Sequence, residues 1–242
     1  MKIVAKTDVG KIRENNQDSY AAGELPNGVA WAVVCDGMGG VAGGNVASST
    51  AVKVISEQIT SAYRFGMSAK SIKNMLISAI TAANISVFDI SKANEELDGM
   101  GTTVVCAIVT GGTAYIAHAG DSRAYLLSKG SLIQLTRDHS MVQDLVEDGK
   151  ITEDEAKFHP RKNIITRALG VDDEIRIDFS ERELLLNDTL LLCTDGLTNF
   201  VENDEICQLT NDNMYYEFAD RLVSRANKNG GGDNITVVAI AY

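Results

Sequence analysis

Apolar and polar positions along the chain follow two periodicities. Short runs that alternate, or are apolar throughout, read as strands: Ile3–Lys6, Val29–Cys35, Thr102–Val109, Thr113–Ala119, Arg123–Leu127, Leu132–Leu135, Ile175–Phe179, Thr189–Cys193 and Ile235–Ala241. Between the second and third of these, apolar residues recur at helical spacing over Val46–Ala62 and Ala69–Ala93, and they do so again over Asp204–Leu209 and Tyr215–Ala226. Asn45 stands where the N-cap of the first long helix is expected, its side-chain oxygen free to accept from an N–H of the first turn.

The connections restrict how the strands pair. Gly111-Gly112 and Ser128-Lys129-Gly130 are long enough only for antiparallel hairpins, so the middle of the chain is a meander. Paired helices flanking runs of antiparallel strands predict an α+β layered sandwich instead of a parallel βαβ sheet. No Pro- or Ser-rich stretch divides the 242 residues, 45% of them hydrophobic, and a single domain over 1–242 is expected.

Charge and cysteines narrow the setting. A formal net charge of −11 disfavours nonspecific attraction to nucleic acid or anionic lipid. Residues 1–7 carry no basic segment followed by a long apolar run, and no stretch of about 18 uncharged apolar residues occurs, so neither secretion nor membrane insertion is signalled. Cys35, Cys106, Cys193 and Cys207 form no CxxC pair, and three of them sit in apolar strand-like runs. Reduced thiols and a cytoplasmic location fit best.

The chemistry lies at the strand ends. AWAVVC runs into Asp36-Gly37, YIAHAG into Asp121, and LLLCT into Asp195-Gly196. Asp233 directly precedes the last apolar run, and Asp18 holds a comparable place near the first. Each Asp-Gly alone is an ordinary turn dipeptide. Together, carboxylates at the ends of buried strands are costly to desolvate unless a cation compensates them. Hard oxygen ligands without a His or Cys cluster suit Mg²⁺ or Mn²⁺ and disfavour zinc. The segment Gly37-Met38-Gly39-Gly40-Val41-Ala42, with Glu57 downstream, also fits the GxGxxA dinucleotide pattern. That reading fails because Asp36 would face the pyrophosphate and because antiparallel hairpins, not a parallel crossover, follow.

The segments Arg13-Glu14-Asn15-Asn16-Gln17-Asp18, Asp36-Gly37-Met38-Gly39-Gly40, Gly101-Thr102-Thr103, Gly120-Asp121-Ser122-Arg123-Ala124-Tyr125, Thr194-Asp195-Gly196-Leu197 and Gly232-Asp233-Asn234-Ile235-Thr236 together resemble the metal-dependent serine/threonine protein phosphatases of the 2C type. Their order and spacing match across nearly the whole chain, and the short length with Met after Asp36-Gly37 looks like the bacterial members. The resemblance implies a four-layer sandwich of two antiparallel sheets packed face to face, with antiparallel helix pairs outside and two or three Mn²⁺ or Mg²⁺ ions at one end. By position, Asp36 would bridge two metals with the help of the Gly37 carbonyl, Asp195 and Asp233 would hold one of them, and Asp18 would act mainly through bound water. Asp121 would serve a third, weaker metal. Two cations ~4 Å apart would activate a bridging water for in-line attack on phosphorus. Arg13 would be the arginine that grips phosphate with a planar fork.

The same resemblance implies phosphoprotein substrates and a cognate serine/threonine kinase as the opposing partner; nothing in the sequence gives reason to expect an oligomer, and a monomer is expected. The complete set Arg13, Asp18, Asp36, Asp195 and Asp233 favours an enzyme over a catalytically silent cation-binding module of the same fold. In many animal and plant relatives a histidine that follows the bridging Asp-Gly protonates the leaving group, and here Met38 stands in its place. His118, His139, His159 or a metal-bound water are the alternatives. Residues 139–167 resemble the family's flap beside the active site.

Overall fold

Among the described residues, eleven strands and seven α-helices are arranged in the order the patterning anticipates, with a few instructive departures. The computed structural model describes residues 1–210 and 212–242, without the side chains of Val41 and residues 212–214. The chain opens with β1 (Lys2–Asp8), β2 (Asp18–Leu25) and β3 (Val29–Met38), then α1 (Gly40–Ala62) and α2 (Ala69–Ala93). The meander follows as β4 (Gly101–Thr102), β5 (Val104–Thr110), β6 (Thr113–Ala119), β7 (Arg123–Ser128) and β8 (Ser131–Gln134). Then come α3 (Met141–Glu147), α4 (Glu153–Phe158), β9 (Asp178–Glu183), β10 (Thr189–Cys193), α5 (Asp195–Thr198), α6 (Asn203–Leu209), α7 (Phe218–Lys228) and β11 (Ile235–Ala241).

All pairings are antiparallel, in two sheets ordered β1-β11-β10-β7-β8 and β2-β3-β5-β6-β9, with β4 attached to β3. The period of two along each strand sorts side chains into layers. Ala32, Val34, Val105, Ala107 and Ile116 of one sheet meet Leu126, Leu190, Leu192, Val238 and Ile240 of the other in a central core. The alternate residues Trp31, Val33, Cys35, Cys106 and Ile108 pack outward against α1 and α2. Tyr125, Leu191, Cys193, Val237 and Ala239 pack outward against α7 and α5. This is the four-layer α+β sandwich.

By composition α2 is long and apolar enough to cross a membrane, with a mean hydropathy of 1.2. In the fold, Ile72, Leu76, Ile80 and Val87 are instead fully buried in the α1–α2 core. Each such side chain contributes about 1.5–3 kcal/mol by leaving water.

Two expectations change, and one strand is unanticipated. Asn45 is not an N-cap: α1 begins at Gly40, and the Asn45 carbonyl, already inside the helix, accepts from the hydroxyls of Ser48 and Ser49. The glycines of the first two turns have poor helix propensity and conceal the true start. β2 carries no run of large apolar residues and is an edge strand bonded only to β3. The strand expected at Ile175–Phe179 starts at Asp178 and continues to Glu183, while Ile175 and Ile177 pack against the α1–α2 core from outside the sheet.

Residues 139–167 leave the sandwich and return at one place. Ser140 bridges Ile165, the Met141 N–H donates to the Ile164 carbonyl (2.9 Å), and the Thr166 N–H donates to the His139 carbonyl (2.8 Å). Between these pinned ends lie α3 and α4, capped by Ser140 and Thr152, with Phe158 exposed.

Candidate metal centre

The antiparallel register of β2 and β3 sets Asp18 directly opposite Asp36. At the same end of the sandwich, Asp121 follows β6, Asp195 opens α5 just after β10, and Asp233 stands two residues before β11. These positions converge on a cleft of about 410 Å³ lined by Arg13, Asp36, Gly37, Asp121, Asp195 and Asp233, with Asn163 and Ile165 contributed by the flap-like segment. Asp18 lies buried behind this lining. Gly37 is required by close approach, since a Cβ there would stand 2.0 Å from the Gly44 carbonyl oxygen.

A frame of hydroxyls and amides fixes the carboxylates. Thr194 and Thr236 donate to Asp18 Oδ2 at 2.9 and 2.7 Å. The Asp36 N–H donates to Thr103 Oγ1 (2.9 Å), whose hydroxyl meets that of Ser122 (2.7 Å), and the Thr102 hydroxyl donates to the Asp36 carbonyl. Asn199 donates to Asp195 Oδ2 at 2.9 Å. Asn234 ties the loop before β2 to the loop before β11: its Oδ1 accepts from the Gln17 N–H, and its Nδ2 donates to the carbonyls of Val9 and Asn15. Arg13 lies on that tied loop and forms a two-point ion pair with Asp233, through Nε (2.9 Å) and Nη2 (3.0 Å).

The electrostatics show an unsatisfied site. Burial, and after it the Asp18 and Asp195 charges, pushes the Asp36 carboxyl well above the usual carboxylate range. Burial raises Asp18 to about 7 against the opposing pull of Thr236 and Thr194, and raises Asp121 to about 7 with Asp195 adding to the effect. Asp195 is raised by burial and by Asp233. Two oxygens, Asp18 Oδ1 and Asp195 Oδ1, are buried without any hydrogen-bond partner among the described residues. Acceptor-only atoms lacking a donor, in a group of mutually repelling carboxylates, fit divalent cations bound through oxygen.

A second group has possible ligand atoms within 4.8 Å of one another, namely those of His118, His139 and Asp178. Here the cation is already present: Arg167 Nη1 donates to Asp178 Oδ1 at 2.8 Å and stands 2.9 Å from His139 Nε2. The guanidinium stands where an ion would have to sit, so the carboxylate cleft is the better candidate for a metal centre.

Residues 10–235 match the family described as Protein phosphatase 2C. The chain belongs to the protein phosphatase 2C family. It is 40% identical over 236 residues to the serine/threonine phosphatase stp of Listeria monocytogenes serotype 4b, covering 97% of this chain and 93% of that protein. Its fold superposes on the crystal structure of serine/threonine phosphatase Stp1 from Staphylococcus aureus with a TM-score of 0.93, 35% identity and coverage of 100% and 94% of the two chains. It also matches the catalytic domain of the phosphatase PstP in complex with two manganese ions, with a TM-score of 0.85, 34% identity and coverage of 99% and 97%. Like other protein phosphatases 2C, it is a metal-dependent serine/threonine protein phosphatase, and Mn²⁺ or Mg²⁺ is its cofactor.

Of the histidines considered as proton donors, none lines the cleft. His118 and His139 are buried, with His118 Nε2 bonded to the Arg137 carbonyl and both His139 nitrogens engaged. His159 Nδ1 accepts from the Arg161 N–H within the flap-like segment. Thr194, Thr236 and Asn234 lie inside motifs quoted above, yet their work as the frame of the carboxylates is visible only once segments about two hundred residues apart are brought together.

Proposed function

We propose that this phosphatase hydrolyses phosphoserine and phosphothreonine in other proteins, in the cytoplasm, as a monomer whose residues 1–242 act as one catalytic domain, and that it opposes a serine/threonine kinase. The observation that carries the reading is the convergence of five strand-end aspartates, two of them with orphaned buried oxygens, beside the guanidinium of Arg13. The buried free thiols fit a reducing compartment.

Asp36, with the Gly37 carbonyl, would bridge two divalent cations. Asp195 and Asp233 would complete one of these sites, Asp18 would act through water, and Asp121 would hold a third, weaker ion. Bound there, the ions supply an activated water and offset charge on the phosphate.

The chain's own residues supply orientation. Arg13 spends Nε and Nη2 on Asp233, and its Nη1 has no protein partner among the described residues, so the guanidinium is aligned and still has donors for a phosphate oxygen. Holding Asp233 and phosphate with one planar group sets the distance between them. Thr103 and Ser122 lock the Asp36 backbone, and Thr194 and Thr236 leave Asp18 with one free oxygen aimed by the other. Met38 carries no proton to give, and the leaving alkoxide takes its proton from water in the cleft.

The test is turnover of p-nitrophenyl phosphate and of a phosphothreonine peptide by metal-stripped protein, with and without added Mn²⁺ or Mg²⁺, alongside Asp36→Asn. Metal-dependent turnover of both substrates that disappears in the variant is expected. A folded, metal-loaded wild type inert toward both would overturn the assignment in favour of a silent cation-binding module.

A further inference from the structure

His139 is fully enclosed and lies outside the carboxylate cluster, yet it grips the peptide that leads into it. Its Nδ1 accepts from the Gly120 N–H at 3.1 Å, and its own backbone N–H donates to the Gly120 carbonyl at 3.0 Å. Gly120 lies just past the end of β6, has φ 112°, and would drive a Cβ to 2.7 Å from the Thr103 side chain. Both polar groups of this residue are therefore held by His139, in a conformation that glycine adopts without strain. Asp121 is the next residue.

The tautomer follows from the donors. A backbone N–H can only donate, so Nδ1 is unprotonated and the ring proton sits on Nε2. Nε2 faces Asp178 Oδ2 at 3.2 Å and Arg167 Nη1 at 2.9 Å; a guanidinium can only donate, so with Nε2 protonated the hydrogen bond of Nη1 goes to Asp178 Oδ1 at 2.8 Å and the ring proton is directed to Oδ2. His118 stacks on the ring, with centroids 4.7 Å apart and planes within 7°, and fixes its orientation. A histidine serving only to fill space would need no such arrangement of three side chains and a backbone amide around it.

We propose that His139 is a positioning residue of the metal centre: with its tautomer set by Asp178, it clamps the Gly120 peptide and so aims the Asp121 carboxylate into the cleft. This rests on the reading of Asp121 as a ligand of the weakest cation site.

Two partial isosteres separate the clamp from packing. His139→Asn retains an acceptor near the Nδ1 position and gives up Asp178. His139→Gln extends an amide toward Asp178 and gives up the acceptor for Gly120. Asp178→Ala leaves the imidazole in place and releases its tautomer. In the full chain, calorimetric titration with Mn²⁺ and hydrogen exchange at the Gly120 amide are read for each variant, with thermal unfolding as the control for folding. His139→Gln and Asp178→Ala are expected to weaken the weakest Mn²⁺ site by about tenfold and to accelerate Gly120 exchange by a similar factor, with the tighter sites unchanged. His139→Asn is expected to stay within about threefold of wild type in both. Asp121→Asn, run in parallel, should abolish the weakest site. If it does and all three network variants bind Mn²⁺ like wild type, or shift alike only in melting temperature, Asp121 stands as a ligand and the positioning role is overturned. If Asp121→Asn leaves Mn²⁺ binding unchanged, the ligand reading fails and the proposal fails with it.

Discussion

Two clusters of ionisable side chains sit side by side at one end of the sandwich, and they are opposite in kind. In and behind the cleft, Asp18, Asp36, Asp121 and Asp195 are pushed up by burial and mutual repulsion, and two of their oxygens have no partner among the described residues. In the neighbouring network, His139 is pushed down to about 4, chiefly by burial, and Asp178 is held at about 2, where hydrogen bonds from Arg167 and His139 outweigh its desolvation. The first cluster is short of positive charge and the second is complete. Proximity of His, Asp and Glu alone would have selected the second as a metal site. The deciding feature is whether the buried acceptors already have donors.

The sharpest way to break the comparison is Asp36→Asn. Removing the carboxylate that would hold both ions is expected to lower turnover by about three orders of magnitude while raising the melting temperature of the metal-stripped protein, because one buried repelling carboxylate is gone. Loss of activity together with a lower metal-free melting temperature would contradict the picture of a strained, incomplete site. Arg13→Lys comes next: a point charge replaces a two-point fork, and kcat/KM toward a phosphothreonine peptide should fall by about tenfold with little change in stability.

The two clusters also respond to pH with opposite signs. Asp18 and Asp121 have folded-state values near 7, above the ordinary 3.8, so in metal-stripped protein they take up protons on folding. Their contribution to stability is lost as pH rises from about 4 to 7, and the gain in melting temperature on adding Mn²⁺ should grow across that window, by several degrees between pH 5 and 7.5. A gain that shrinks with rising pH would reverse the assignment. His139, lowered from 6.5 to about 4, behaves in the contrary way: stability it confers above pH 6.5 is lost as pH falls toward 4, and Asp178 adds a further loss between 3.8 and about 2. The smallest expected effect is a flatter melting-temperature profile between pH 6.5 and 4 for His139→Asn than for the wild type, measured with metal absent from both.

The strands of the central core were legible in the sequence because they are apolar on both faces, as in Val29–Cys35 and Thr189–Cys193, and the aspartates stand out at their ends for the same reason. β2 was not legible: an edge strand of Ala, Gly and small polar residues has no strong period, although it delivers Asp18 to its place opposite Asp36. The start of α1 was hidden by glycines whose smallness serves close packing near Gly37. The solitary histidines could not be sorted into donors and supports, since that depends on Gly120, Asp178 and Arg167 meeting in space.

The place of β11 sets the timing of assembly. It is the final strand in sequence, yet it runs between β1 and β10, with Asp233 on its threshold and Asn234 holding the loop of Arg13. A chain emerging from the ribosome therefore carries four of the five strands of this sheet, with β1 separated from β10 by the place β11 will take, until these residues are released. Until β11 docks, the cleft lacks Asp233 and the loop of Arg13 lacks its tie to Asn234.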